Sequence, residues 1–258
     1  MKKVAVVTGA AGFLGLHFTQ ALLDGGYMVY GIDLLNSTQI KNQNYFHKNG
    51  DITDEKTLQE IFSEIARNHS KLDLLVNNAA IDHKIDSSSL SSKKNNRFED
   101  FDHELIIPEF RVGILGSLLC SKDALKIMIP QHAGSIINIA SDLSIISPNQ
   151  NIYRSKDNFV QDFFKPVSYS IIKHGLVGLT KYLATYCAPY NIRCNSVSPG
   201  PVLNNQPEEF LERLKELIPL GRLANPDEIT KAVIFLASSD SSYLTGHNLV
   251  VDGGRTIW

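Results

Sequence analysis

Short apolar runs alternate with amphipathic segments along almost the whole chain. The apolar runs predict strands within residues 3–7, 27–32, 44–51, 72–78, 135–140, 191–199 and 247–254. Segments with apolar residues at every third or fourth position predict helices at residues 13–23, 55–66, 104–128, 168–188 and 227–237. Strands that alternate with helices predict a parallel sheet that is covered by helices on both faces.

The chain shows no repeat and no segment that resembles a linker between domains. Its 258 residues are enough for one large α/β domain. We therefore predict a single doubly wound α/β domain over residues 1–258, with a mainly parallel seven-stranded sheet. The polar stretch at residues 82–100 is predicted to be a surface loop or disordered, with its lysines and serines in solvent.

Composition narrows the class of partner. The 25 Lys and Arg residues face 27 Asp and Glu residues, so there is no basic excess for a nucleic-acid partner. No apolar stretch approaches the ~18 residues of a membrane span. Cys120, Cys187 and Cys194 form no C-x-x-C pair, so free thiols in a reducing, cytoplasmic compartment are expected. A small-molecule substrate remains as the expected partner.

The stretch VAVVTGAAGFLG places three glycines between the first strand and the first helix. Gly9, Gly12 and Gly15 would let the backbone approach a pyrophosphate, whose charge the helix N-terminus stabilises. Asp33 ends the second strand, where a carboxylate accepts hydrogen bonds from both adenosine ribose hydroxyls and repels a 2′-phosphate. The two leucines that follow offer no cation to such a phosphate. The pattern therefore favours NAD over NADP.

Tyr169 and Lys173 lie four residues apart and share one face of a predicted helix. A free tyrosine has a pKa near 10, and a nearby ammonium stabilises its phenolate. Tyr169 could then exchange a proton with a carbonyl or alcohol oxygen while hydride moves to or from a nicotinamide. Ser141 ends the fifth strand, at the sheet edge where α/β proteins bind ligands, and its hydroxyl could bind the same oxygen. The other interpretation of the tyrosine and lysine is an exposed helical pair.

The motifs TGAAGFLG, NNAA, INIAS, YSIIK, SPGPV and VVDGG occur in this order. Together they resemble the short-chain dehydrogenase/reductase family over essentially the whole length of the chain. The resemblance implies a Rossmann-type domain and an NAD(H)-dependent enzyme that interconverts a carbonyl and a secondary alcohol, without a metal. It implies that Ser141, Tyr169 and Lys173 are catalytic. It also implies cofactor binding by Gly9, Gly12, Phe13, Leu14, Gly15, Asp33, Asp51, Ile52, Asn78, Ala79, Ala80, Tyr169, Lys173, Pro199, Gly200 and Val202, and support of the cofactor cleft by Asn77.

The resemblance further implies a homodimer or homotetramer. The family usually pairs its two long helices, here residues 104–128 and 168–188, across a two-fold axis. Apolar residues such as Val177, Leu179 and Leu183 cover more of the second helix than one core face requires.

Gly113 departs from the family pattern. It stands where the classical members carry the asparagine of N-x-x-G, which holds a water that relays protons to the active-site lysine. The relay could use another arrangement, the enzyme could be slow, or the chain could be a cofactor-binding regulator or scaffold with weak or no activity. We expect Gly113→Asn to be tolerated and to speed a slow enzyme. The glycine spacing, with Phe13 at a usual glycine position, is a smaller departure.

The segment between Ser141 and Tyr169 is longer than in the family and is predicted to form a lid, at about residues 142–168, over the substrate pocket. It brings Tyr153, Lys156 and Lys165, and also Arg154, which suits a bidentate carboxylate or phosphate. A solvated lid with chance charges is the alternative. This insertion, KYLATYCA and DGGRTIW resemble bacterial oxidoreductases of surface-sugar pathways, such as flagellin-modification and legionaminic-acid-type proteins. That likeness implies a sugar or sugar-phosphate substrate.

Overall fold

The computed structural model describes residues 2–36, 38–81, 97–154 and 163–258. The strands are β1 (Val4–Thr8), β2 (Met28–Asp33), β3 (Tyr45–Asn49), β4 (Leu74–Asn77), β5 (Gly134–Ile139), β6 (Ile192–Pro199) and β7 (Asn248–Val251). The helices are α1 (Phe13–Asp24), α2 (Glu55–His69), α3 (His103–Phe110), α4 (Ser117–Gln131), α5 (Val167–Cys187), α6 (Glu208–Lys215) and α7 (Pro226–Ala237).

The seven strands form one sheet in the order β3-β2-β1-β4-β5-β6-β7, and every neighbouring pair is parallel. The predicted doubly wound α/β fold is therefore confirmed, and the sheet is wholly rather than mainly parallel. The strand order reverses between β1 and β4, so a crevice opens there at the carboxyl ends of the strands.

Apolar side chains cover both faces of the sheet, as the alternating pattern predicts. On one face, Tyr30 and Ile136 pack with residues of α2 and α4. On the other face, Val29 and Ile137 pack with residues of α1 and α7. Consecutive strand residues thus point into opposite cores, which is the period of two expected of a strand.

The predicted helix at residues 104–128 is present as one unbroken run of helical residues, 103–131. Its middle part, Arg111–Gly116, is a π-helical turn and joins α3 to α4. Gly113 and Gly116 lie in this turn, and glycine is a weak helix former. Both glycines are buried against isoleucine side chains, so close tertiary packing accompanies the π-helical segment. The sequence reading also missed α6, whose Phe210 and Leu214 are buried one turn apart.

The polar stretch predicted at residues 82–100 is described only in part. Of the stretch at residues 82–100, residues 82–96 lie outside the described ranges, and a short 3₁₀ turn, Phe98–Asp100, follows them. Across the described ranges, no helix combines the length and the apolar character that crossing a membrane needs.

Cys120, Cys187 and Cys194 are free and buried, and burial raises the pKa of the Cys187 thiol to about 11.

Candidate functional site

A cavity of about 600 Å³ opens at the carboxyl ends of the strands. All three predicted catalytic residues, Ser141, Tyr169 and Lys173, line it. The predicted cofactor residues that line it are Gly9, Gly12, Phe13, Leu14, Asp33, Asp51, Ile52, Asn78, Ala79, Ala80, Tyr169, Lys173, Pro199, Gly200 and Val202. Gly15 does not line the cavity. A side chain there would collide with the carbonyl of Gly9, so Gly15 allows α1 to pack closely on the turn.

The glycine turn is tied to the end of β4. Gly9 has a φ of +64°, a conformation that side chains disfavour. The Thr8 hydroxyl accepts hydrogen bonds from the backbone amides of Asn78 and Ala79, at 3.0 and 3.1 Å. The Asn78 side chain in turn donates to the carbonyl oxygen of Thr8 at 3.0 Å. Asn77, the residue before Asn78, is buried, and its side chain donates a hydrogen bond to the side-chain oxygen of Asn138.

Asp33 connects the turn to the end of β2. Its Oδ2 accepts a hydrogen bond from the amide of Ala11 at 2.9 Å, and its Oδ1 accepts one from the amide of Leu35 at 3.0 Å. A carboxylate oxygen can accept two hydrogen bonds. Each oxygen therefore keeps one acceptor position for a ligand, which matches the two hydroxyls of a ribose.

Two ammonium groups lie close to the ring of Tyr169. The Nζ atom of Lys173 is 5.6 Å from the centre of its ring, and that of Lys165 is 3.8 Å away. Lys173 is buried, and its Nζ donates to the carbonyl oxygen of Ile139 at 2.8 Å, at the end of β5. Positive charge beside a phenol favours the phenolate, so the surroundings suit a tyrosine that exchanges a proton.

Ser141 is held by a buried ion pair that the sequence reading missed. Its hydroxyl donates to Oδ1 of Asp142 at 2.7 Å and accepts from the amide of Leu143 at 3.2 Å. The other oxygen of Asp142 accepts from Nη1 of Arg255, which follows β7. Asp142 and Arg255 are only 3% and 6% exposed, so each charge depends on the other. No local sequence signal could reveal the pair, because its members lie 113 positions apart.

These contacts determine the direction in which the Ser141 hydroxyl donates its proton. A carboxylate only accepts hydrogen bonds, so the serine proton points at Asp142. The remaining lone pair can accept a hydrogen bond from a substrate hydroxyl. Donation to a substrate carbonyl requires the hydroxyl to turn away from Asp142.

Gly113 does not leave room for an asparagine. A Cβ atom on Gly113 would lie 2.5 Å from Cγ2 of Ile172, and the carbonyl oxygen of Gly113 accepts a hydrogen bond from Ser117 at 3.0 Å. An asparagine at this position would have to displace Ile172 of α5, so the structure argues against the expectation that Gly113→Asn is tolerated. Gly113 is not among the residues that line the cavity.

The described part of the insertion packs onto α6. Tyr153 and Phe163 are buried against Phe210 and its neighbours, with the Tyr153 and Phe210 rings 5.5 Å apart. Arg213 of α6 donates to the carbonyl oxygens of Ile152, at 3.1 Å, and Arg154. A merely solvated lid is thus the wrong description of this part.

The polar residues that the insertion contributes differ in whether they reach the cavity. The side chain of Arg154 is exposed and does not line the cavity, so the anion-binding expectation for it is not met. Tyr153 and Lys165 do line the cavity. Lys156 lies outside the described residues.

The apolar residues cited for α5 are largely internal. Leu183 is buried in the core, and Val177 and Leu179 are partly buried against core clusters. The apolar side chains of α5 that do face outward are Ile171, Tyr182 and Tyr186.

Comparisons with known proteins identify the family of the chain. The family profile described as enoyl-(acyl carrier protein) reductase matches residues 9–256. The chain belongs to the short-chain dehydrogenase/reductase family. It is 31% identical to an NAD-dependent glycerol dehydrogenase of Listeria innocua, with 99% of this chain and 94% of that relative covered. It is 30% identical to a D-threitol dehydrogenase of Mycolicibacterium smegmatis, with 99% and 93% covered.

Solved structures of this short-chain dehydrogenase/reductase family share the fold. A short-chain dehydrogenase of Leptospira borgpetersenii with bound NAD+ superposes with a TM-score of 0.87, at 30% identity, with 99% of this chain and 93% of that chain covered. The aldohexose dehydrogenase of Thermoplasma acidophilum gives a TM-score of 0.82 at 26% identity, with 100% and 95% covered.

The protein is therefore an oxidoreductase that acts on carbonyl or alcohol substrates with a nicotinamide cofactor. Relatives at similar identity also include a 7alpha-hydroxysteroid dehydrogenase of Bacteroides fragilis, at 29% over 99% of this chain and 95% of that relative. The relatives do not single out the surface-sugar group that the sequence resembles. The family assignment favours an enzyme over the regulator without activity, and packing against Ile172 gives Gly113 a structural reason of its own.

Proposed function

We propose that this short-chain dehydrogenase/reductase interconverts a carbonyl and a secondary alcohol on a polyhydroxylated substrate, with NAD(H) as its cofactor. One observation carries the proposal. A single cavity is lined both by Asp33 and by Ser141, Tyr169 and Lys173, so a ribose-binding carboxylate and a proton-transfer group share one site.

The residues of the cavity fit a dinucleotide. Gly12 and Phe13 bring the N-terminus of α1 to the cavity, where its amides and dipole favour a pyrophosphate. Asp51 and Ile52 would flank the adenine, and Val202 would contact the carboxamide. When bound, the nicotinamide supplies or accepts the hydride.

Tyr169 would move the proton. In reduction it gives its proton to the carbonyl oxygen of the substrate, and in oxidation it takes one from the alcohol. Lys173 and Lys165 stabilise the phenolate that remains after donation. Lys173 would also contact the nicotinamide ribose, and Ser141 would bind the reacting oxygen.

The preference for NAD rests on Asp33. Its two open acceptor positions match the 2′- and 3′-hydroxyls of the adenosine ribose. A 2′-phosphate would meet a carboxylate, and the two side chains that follow are the exposed apolar Leu34 and Leu35.

The substrate class follows from polar groups around the cavity. Asn204, Gln206 and Lys165 line it together with Tyr153 and Arg255. Amide and ammonium groups of this kind suit a substrate with several hydroxyls, and the names of the glycerol, D-threitol and aldohexose relatives support that class. A sugar or sugar phosphate, as in the surface-sugar group, is the finer form of the proposal.

We also propose a homodimer or homotetramer in a reducing, cytoplasmic compartment. The outward apolar side chains Ile171, Tyr182 and Tyr186 of α5 support assembly, since large exposed apolar side chains on one helix favour a partner. The three free buried thiols support the compartment. Light scattering at micromolar concentration tests the assembly, and a monomer would contradict it.

The decisive experiment is a titration followed by a substrate panel. NADH and NADPH are titrated into the purified protein, and turnover is then measured with glycerol, D-threitol, aldohexoses and sugar phosphates. We expect tighter binding of NADH and turnover with at least one polyhydroxylated substrate. Equal or tighter binding of NADPH contradicts the cofactor proposal, and activity on apolar alcohols alone contradicts the substrate class.

A further inference from the structure

The edge strand β3 has two faces with different tasks. Side chains alternate along a strand, so Tyr45, His47 and Asn49 share one face, and Phe46 and Lys48 share the other. Phe46 packs against the core, and Lys48 forms an ion pair with α2. Tyr45 packs against the core on the other side of the sheet, so of this face His47 and Asn49 remain for the segment that follows β2.

The polar face of β3 holds that segment by its carbonyl groups. Nε2 of His47 donates to the carbonyl oxygen of Leu35 at 2.7 Å, and Nδ2 of Asn49 donates to that of Leu34 at 2.8 Å. Because a carbonyl only accepts, the proton of the histidine ring lies on Nε2. Nδ1 then accepts from the Tyr45 hydroxyl, 3.1 Å away.

The segment held in this way also holds Asp33. The amide of Leu35 donates to Oδ1 of Asp33, so the contacts run from His47 through Leu35 to the carboxylate. The side chains of Leu34 and Leu35 are 66% and 58% exposed and line the cavity. Exposed side chains contribute little packing energy. The hydrogen bonds from His47 and Asn49 are therefore a main constraint on the position of this segment.

We propose that His47 and Asn49 are positioning residues that set the cofactor preference of this enzyme. They fix Leu34 and Leu35, and thereby keep the Asp33 carboxylate directed at a ribose that carries a free 2′-hydroxyl. A fixed carboxylate accepts the ribose hydroxyls and repels a 2′-phosphate, whereas a carboxylate that can turn into solvent does both less well. The inference rests on the proposed preference for NAD.

The test compares cofactor affinities in variants of the polar face. His47→Phe and Asn49→Leu each remove one donor, and fluorescence titration gives the dissociation constants of NADH and NADPH. Each single variant should weaken NADH binding by about threefold to tenfold, the effect of one hydrogen bond, and weaken NADPH binding less. In the double variant, the preference for NADH should fall by about tenfold or more.

Two further variants separate positioning from a general effect on β3. His47→Gln keeps an N–H donor near the position of Nε2 and should restore most of the preference. Lys48→Met changes the opposite face of the same strand and should leave the preference as in the wild type.

A second measurement needs no cofactor. Hydrogen exchange at the Leu35 amide should be faster in the double variant and unchanged in Lys48→Met, because this amide is the one that donates to Asp33. If the double variant fails to fold, the exposed Asn49→Leu alone provides both measurements.

The outcomes distinguish the two proposals. A wild-type protein that binds NADPH as well as NADH overturns the NAD preference and this inference with it. A wild type that prefers NADH, with folded variants that keep both its preference and its Leu35 protection, overturns the inference alone.

Discussion

The two ends of the cavity are built by different means. We call the turn after β1 together with Asp33 the cofactor end, and Ser141 to Tyr153 together with Phe163, Tyr169, α6 and Arg255 the substrate end. At the cofactor end, each contact described has a backbone group as one partner, as in the contacts of Ala11 with Asp33 and of His47 with Leu35. At the substrate end, contacts such as the buried ion pair join two side chains from distant elements. A contact between two side chains can be lost by substitution of either residue, so the substrate end is the more sensitive of the two to substitution.

The largest expected effect lies at the substrate end. Tyr169→Phe removes the transferable proton, so turnover should fall by about 100-fold to 10,000-fold while the NADH dissociation constant changes by less than about twofold. Steady-state rates and fluorescence titration measure the two. Tyr182→Phe, on the exposed face of the same helix, is the matched control. Retention of more than a few per cent of activity would mean that another group is the acid.

Arg255→Met should expose how strongly the substrate end depends on its ion pair. The change leaves the Asp142 carboxylate buried without its cation, which should lower the free energy of unfolding by about 3–5 kcal/mol in urea denaturation. The double variant Asp142→Asn/Arg255→Met should recover much of that loss, because no buried charge remains. A single variant as stable as the wild type would show that the pair does not hold this end.

Gly113→Asn tests the packing between α5 and the π-helical turn. The new side chain meets Ile172, so unfolding should become easier by about 1–3 kcal/mol, the usual effect of overpacking. Ile172→Ala in the same chain should relieve the clash. Unchanged stability, or faster turnover in the single variant, would favour the proton-relay interpretation instead.

Asp33→Asn is the corresponding test at the cofactor end. Removing the charge should reduce the preference for NADH over NADPH by about tenfold, equivalent to about 1.4 kcal/mol, because the repulsion of the 2′-phosphate disappears. Fluorescence titration with both cofactors measures it. Asp24→Asn, at the exposed end of α1, controls for net charge. An unchanged preference would place the selectivity elsewhere in the cavity.

The smallest expected effect concerns an exposed ion pair that belongs to neither end. Hydrogen bonds from Arg222 and from the amide of Asn225 lower the pKa of Glu228 from 4.5 to about 2. A lowered pKa stabilises the fold above pH 4.5, and this contribution disappears as the pH falls to about 2. Arg222→Met should therefore lower stability only slightly at pH 7 and less still at pH 3, since both side chains are over a third exposed. A loss that grows toward low pH in urea denaturation would contradict this assignment.

The sequence predicts the cofactor end almost residue by residue because its signals are local. The glycines and Asp33 lie within a short βαβ unit, and periodicity identifies the strands and helix around them. Of the predicted cofactor residues, Gly15 alone does not line the cavity, since it packs closely on Gly9 instead. The order of motifs likewise places Ser141, Tyr169 and Lys173 at one edge of the sheet.

The rest depends on contacts between distant parts of the chain. The partner of Asp142 lies far along the sequence, and Gly113 reads as a lost asparagine until Ile172 is seen beside it. Arg154 looks like an anion-binding residue by its type alone. Arg213 binds its backbone carbonyl, however, and Lys165 and Tyr153 line the cavity, whereas Arg154 does not. Residue types indicate chemistry here, and tertiary packing decides which of them reach the cavity.

The aromatic contact between the insertion and α6 has a consequence for how this enzyme can evolve. Tyr153 and Phe210 each line the cavity and also support one another, so a change in either alters both the pocket and its wall. Substitutions there will be epistatic, with the effect of one depending on the residue at the other. We therefore expect libraries that vary Tyr153 and Phe210 together to reach pocket shapes that changes at either position alone do not.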